Sequence, residues 1–197
     1  MGAEGAQAPL LRVPLADGTL VATPDIPSDD LIPSLVAASD VLGTGWFGAV
    51  AAEAGPGKTV AVVGDGAVGL LAVLAARQLG AERIIAMSRH ESRQRLALEF
   101  GATDIVTERG DEGAARIEDM TDGLGGHSVV EAVVTQESMM QAIRSTRSGG
   151  HVGFVGGARR GAARQGAVLR HSPSARRSRP GPALPARAYR PDLEPED

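Results

Sequence analysis

The spacing of apolar and polar positions changes character at Thr59. Val60, Ala61, Val62 and Val63 form an apolar, largely β-branched run with no polar alternation, the pattern of a parallel strand covered by helices on both faces. Val68, Leu71, Ala72, Ala75 and Leu79 then recur at helical spacing and make one apolar stripe. Gly80 ends that helix, and Arg83 to Met87 begin a second strand. The rhythm continues with a helix from Glu91 to Phe100, a short strand at Asp104 to Val106, and a helix around Ala114 to Met120. A strand at Ser128 to Val133, a helix from Gln136 to Thr146 and a strand at His151 to Val155 follow. Helices alternating with short Val/Ile-rich strands predict an α/β fold with a doubly wound parallel sheet of about five strands. Folds of this kind usually have about six, so the sixth is expected to be missing.

Gly64, Gly66 and Gly69 stand in G-x-G-x-x-G spacing where the first strand stops. Following a buried-type strand and opening an amphipathic helix, they predict a Rossmann-like dinucleotide site. Gly64 permits the tight turn, Gly66 lets the backbone approach a pyrophosphate, and Gly69 lets the helix pack close to the strand. The pyrophosphate would lie on the free amides of the helix N-terminus, at Gly66, Ala67, Val68 and Gly69. At the end of the second strand, a site for a free ribose 2′-hydroxyl usually has an Asp or Glu. Here Ser88 and Arg89 occupy those positions, with Arg93 one turn later and no carboxylate until Glu91. A hydroxyl and guanidinium groups suit a 2′-phosphate, which points to NADP(H).

Before this region, residues 1–27 are small, Pro-rich and partly alternating, with Asp17-Gly18 as a turn between two short extended pieces. They read as the remnant of a larger β domain. Ser28, Asp29 and Asp30 supply a cap and first-turn acids for a helix, a second helical pattern runs from Leu42 to Ala54, and Gly55-Pro-Gly57 breaks it. Residues 28–157 are thus expected to be the dinucleotide-binding domain. From Ala158 the apolar pattern is lost and Arg, Ala, Pro, Gly and Ser dominate. Residues 158–197 are expected to be a disordered Arg/Pro-rich tail, either the product of a frameshift near Gly157 to Arg160 or a functional extension.

Hydrophobic residues make up 43% of the chain and aromatics 3%, so the core must be built from Val, Leu, Ile and Ala. A net charge of −4 gives no sign of a nucleic-acid or membrane partner. There is no cysteine, which removes thiolate zinc sites and suits a reducing cytoplasm. No apolar run reads as long enough to span a bilayer.

Residues from about Pro14 to Gly157 resemble the cofactor half of the zinc-dependent medium-chain alcohol dehydrogenases, of the NADP-preferring type. The likeness is carried by Asp40-Val-Leu-Gly-Thr-Gly-Trp46, the run Gly55 to Gly69, Phe100-Gly-Ala-Thr-Asp104, and Gly149-Gly-His-Val-Gly-Phe-Val-Gly156. The resemblance implies an oxidoreductase passing hydride between NADP(H) and an alcohol or aldehyde, with the chain holding the cofactor-binding part. It places Asp40 as a catalytic zinc ligand, Thr44 beside the nicotinamide, Ser88 and Arg89 at the 2′-phosphate, and the backbone of Val133 and Val155 on the nicotinamide. Phe47 and Val134 depart from the family, which would have histidine and glycine there. Zinc itself is expected not to be retained, because His90, His127, His151 and His171 show no paired ligand spacing. Two other readings are a non-catalytic NADP-binding module and a zinc-independent quinone reductase-like protein. The unpaired edge of the last strand is expected to favour a homo-oligomer.

Overall fold

The computed structural model describes residues 9–156 and 168–170. Two units divide the chain after Val36. In the first, α1 (Ala16–Thr19) is a single turn entered through Leu15, whose φ of 53° is left-handed. A second turn, closed by the Leu31 amide on the Ser28 carbonyl at 2.9 Å, leads to α2 (Ile32–Ala37). No strand forms among the described residues 9–27, which corrects the expected β remnant there. A strand needs a partner for its amides and carbonyls. Here Leu10, Val21 and Ile26 are more than nine-tenths exposed.

The second unit opens on a π-helical turn at Ala38–Leu42 and α3 (Gly43–Ala51). It continues through β1 (Thr59–Val63), α4 (Ala67–Gln78), β2 (Arg83–Met87), α5 (Glu91–Phe100) and β3 (Asp104–Val106). Next come α6 (Gly110–Asp119), β4 (Gly126–Glu131), α7 (Gln136–Arg144), β5 (Thr146–Phe154) and β6 (Val168–Arg170). The sheet order is β3-β2-β1-β4-β5-β6. The first five strands are parallel and β6 is antiparallel to β5. The five parallel strands agree with the expected count of about five; β6 is a short antiparallel addition rather than a sixth parallel strand, and it corrects only the expectation of an unpaired edge along β5. His151, Val152 and Gly153 pair with Arg170, Leu169 and Val168. A three-residue pairing needs backbone donors and acceptors rather than apolar periodicity, so composition does not announce it. The remaining tail residues, His171 among them, lie outside the described residues.

The unbroken apolar run of β1 is explained by two cores. Val60 and Val62 join Ile84, Ala72, Val73 and Ala97 on one face of the sheet. Ala61 and Val63 join Ile85, Val129, Ile117 and Ala142 on the other. With few aromatics available, helices approach the sheet through small residues. At Gly153 an added Cβ would lie 2.2 Å from the Gly48 carbonyl oxygen, so α3 rests directly on β5. Edge strand β3 is tied to β2 by a two-pronged ion pair in which Arg83 Nε and Nη2 each donate to Asp104 at 2.8 Å.

The helical residues Ile32–Ala51 form a 20-residue stretch of mean hydropathy 1.2, long and apolar enough to cross a membrane by length and composition. That corrects the reading that no apolar run reaches this length. Within it, Gly45, Gly48 and Ala49 of α3 are buried in the second unit, where their apolar character serves the sheet's own core.

Candidate functional site

Strand order reverses between β1 and β4, and in open α/β sheets that reversal leaves a crevice at the carboxyl ends of the strands. Gly64, which follows β1, has φ 119°, a conformation open to glycine and strained for other residues. At Gly69 an added Cβ would sit 2.1 Å from the Gly64 carbonyl oxygen, so helix α4 starts in direct contact with the turn. Gly66 is the residue before the helix, and an added Cβ there would meet nothing within 4 Å.

No side chain caps α4. At α7, by contrast, Thr135 accepts from the Ser138 amide at 3.1 Å and Ser138 Oγ accepts from the Thr135 amide at 3.1 Å. The first-turn amides at Ala67, Val68 and Gly69 therefore have the open space and positive helix end that a pyrophosphate requires. These observations fit a dinucleotide.

Ser88 and Arg93 do come together at the end of β2, but on a protein carboxylate. Asp65, inside the glycine turn and only 7% exposed, accepts from Ser88 Oγ at 2.8 Å and from Arg93 Nη1 at 3.1 Å. Gln94 Nε2 donates to the Ser88 carbonyl at 2.9 Å. Burial works to raise the Asp65 pKa, while the Ser88 and Arg93 hydrogen bonds, with the charges of Arg93 and His90, outweigh it and hold the carboxyl below the usual aspartate range. The reading that no carboxylate stands at this point is thus corrected: the acid arrives from the turn, not from the end of β2. Its signal in the sequence is a lone charged residue within Gly64-Asp-Gly-Ala-Val-Gly69. Arg89 is exposed and takes part in none of the ion pairs among the described residues.

A second buried acid supports the other wall. Glu131, at the end of β4 and 1% exposed, accepts through Oε1 from the Val133 and Val134 amides, both at 2.8 Å, and from Ser138 Oγ at 2.7 Å. Sequence reasoning missed it too, although a carboxylate directly after Ser128-Val-Val130 is its trace. Val134 has φ 71°, a position where a β-branched residue is strained, which gives the physical basis for glycine at this point in the family. Its side chain also lies where any Cβ at Gly156 would have to go.

Asp40, Thr44, Phe47, Phe154 and Val155 line a common cleft. Thr44 Oγ1 donates to the Asp40 carbonyl at 3.1 Å, so the hydroxyl predicted to lie beside a nicotinamide is held by the turn that carries Asp40. The Val155 amide donates to the Glu131 carbonyl at 3.2 Å. Asp40 itself is exposed. Among the described residues no group of three or more His, Cys, Asp or Glu side chains could hold a metal. A catalytic zinc takes about three protein ligands, and one carboxylate does not fit it. Of the histidines, His127 accepts the Thr59 amide at 3.1 Å on Nδ1 and His151 Nε2 lies 3.4 Å from Glu53, both away from this edge.

The zinc-binding dehydrogenase family matches residues 67–180. The chain belongs to that family. It is 40% identical over 152 residues to a protein named as a probable zinc-binding alcohol dehydrogenase of Mycobacterium tuberculosis, covering 77% of this chain and 38% of that one. It is 36% identical over 153 residues to an NADP-dependent isopropanol dehydrogenase of Entamoeba histolytica, covering 77% of this chain and 41% of that one. The chain thus spans about two-fifths of the length of these relatives. Among solved structures, an alcohol dehydrogenase from Thermus sp. ATN1 superimposes with a TM-score of 0.68 at 35% identity, over 78% of this chain and 44% of that one. The described sheet is the cofactor-binding half of the family's fold.

Two outcomes follow from this geometry. Val134→Gly relieves the positive-φ strain and raises stability by about 1 kcal/mol, read as a higher denaturation midpoint; a lower midpoint contradicts the strain. Because the folded Asp65 pKa is depressed, its contribution is present above the unfolded value and lost as pH falls through the folded one. The wild-type chain therefore loses stability relative to Asp65→Asn below about pH 4; a difference that stays constant across that range contradicts the buried pairing.

Proposed function

We propose that this chain binds NADP(H) across the carboxyl ends of β1, β2 and β4. It serves as the cofactor-binding part of an alcohol dehydrogenase that moves hydride between NADP(H) and an alcohol or aldehyde. The observation that carries the reading is the uncapped N-terminus of α4, seated on the Gly64–Gly69 turn with Ser88, Arg89 and Arg93 at the end of the neighbouring strand.

The residues divide the work by position. Ala67, Val68 and Gly69 present amides to the pyrophosphate, and Gly66 leaves it room. Ser88, Arg89 and Arg93 face the second ribose and its phosphate. Glu131 fixes the Val133 and Val134 amides, which sets that wall of the crevice, and Val155 follows β5 on the neighbouring side. Thr44 holds its hydroxyl in the cleft shared with Val155. When bound, NADP(H) supplies or accepts the hydride at its nicotinamide ring. The NADP-dependent isopropanol dehydrogenase of E. histolytica supports this choice of nucleotide.

The described residues favour nucleotide binding over turnover by this chain alone, because Asp40 has no companion ligands. The reading includes a reducing, cytoplasmic setting, in keeping with the absence of cysteine.

Titration calorimetry of the purified chain with NADPH tests the proposal. Binding in the micromolar range is expected, and it is lost in Gly69→Val, whose side chain meets the Gly64 carbonyl. No heat from the wild-type chain in a folded state contradicts the reading.

A further inference from the structure

We propose that Asp65 sets the nucleotide selectivity of this site by competing with a 2′-phosphate for Ser88 and Arg93. The inference rests on the reading of the site as one for a nicotinamide dinucleotide.

Ser88 decides the matter. A serine hydroxyl has a single hydrogen to donate, and here it goes to Asp65 Oδ2 at 2.8 Å. A 2′-phosphate presents acceptors and negative charge, so Ser88 cannot donate to it while that bond stands. Arg93 has several donors and could in principle reach two anions. It lies 3.1 Å from Asp65 Oδ1, however, and its charge is already set against that carboxylate. A phosphate brought to the same guanidinium would lie within a few ångströms of the Asp65 charge, and like charges at that range repel, the more so because the Asp65 side chain is only 9% exposed, while solvent at the half-exposed Arg93 screens part of the effect.

A free ribose 2′-hydroxyl meets none of these obstacles. It can donate to a carboxylate, as it does in sites where an acid stands at the end of the second strand. Asp65 offers that acid from the glycine turn, with the side chain 9% exposed against 49% for Arg93. Arg89 is exposed and outside the ion pairs among the described residues, so no carboxylate has a claim on it. The two arginines therefore attract a 2′-phosphate while Asp65 resists it. The wild-type chain accepts both nucleotides with a preference far smaller than the arginines alone would produce.

The test measures dissociation constants for NADPH and NADH with four folded proteins: wild type, Asp65→Asn, Arg93→Met and the double variant. Circular dichroism and thermal melting establish that each is folded, and Asp65→Ser stands in if Asp65→Asn does not fold. Asp65→Asn is expected to raise the preference for NADPH over NADH about tenfold, chiefly through tighter NADPH binding. In the Arg93→Met background the same change is expected to shift the ratio less than threefold. An unchanged ratio in Asp65→Asn, or an equal shift with and without Arg93, overturns the proposal. Wild type that binds NADH alone overturns both the NADP(H) reading and the acceptance of both nucleotides by the wild-type chain, while NADPH binding gained in Asp65→Asn still assigns the selectivity to Asp65. If no variant binds either nucleotide, the dinucleotide reading falls and this inference falls with it.

Discussion

Helix α4 meets the end of β1 so closely that nothing larger than glycine fits at position 69, 2.1 Å from the Gly64 carbonyl oxygen for an added Cβ. The rest of the site depends on that contact. It brings the uncapped helix end directly over the carboxyl edge of the sheet, where the positive end of the helix and its unbonded amides favour an anion. It also forces the left-handed turn at Gly64, which is packed against Val133 and Ala132 at the end of β4. The crevice is narrow because two strand ends and a helix start are all in backbone contact. A side chain at Gly69 would separate them together.

Two buried carboxylates stiffen the two sides of that crevice. Glu131 holds the amides of Val133 and Val134, so the turn after β4 keeps its shape even though Val134 sits at an unfavourable φ. Asp65 ties the glycine turn to the end of β2 through Ser88 and Arg93. Burying a carboxylate is costly unless hydrogen bonds satisfy it. Asp65 meets that condition with both oxygens, and Glu131 gathers three donors on Oε1 while Oε2 has no partner among the described residues. The same Asp65 bonds that order the glycine turn are the ones a 2′-phosphate must compete with, which links the stability of the turn to the choice of nucleotide.

Local patterns made the sheet legible in the sequence. The continuous apolar strand β1 and the glycine spacing depend on residues close in the chain, and the structure has them as read; the stripe on α4 is rotated, with Leu70, Val73 and Ala76 buried beside Ala72 and Ala75 while Val68, Leu71 and Leu79 are only partly covered. The departure at Val134 was legible as an oddity, and its φ of 71° supplies the reason. Asp65 was not legible in its role because its partner Ser88 lies 23 residues away, and a carboxylate in a turn is ordinarily solvated. Strand β5 begins at Thr146, five residues before the expected His151, because Thr146 already pairs with Gly126 and a register irregularity separates that pair from the regular pairing that starts at His151. Strand β6 was illegible because its pairing with β5 rests on backbone groups over three residues rather than on apolar alternation.

The central claim, that the N-terminal turn of α4 and the two flanking strand ends receive the dinucleotide, is tested most directly by titrating the isotopically labelled chain with NADPH and following backbone amide resonances. The account predicts the largest shifts at Gly66 to Leu70, with others at Ser88, Arg89, Val133 and Val134, and small ones on the opposite end of the sheet around His127 and Arg147. Shifts centred on that opposite end, or an α4 N-terminus left unmoved at saturation, would contradict it.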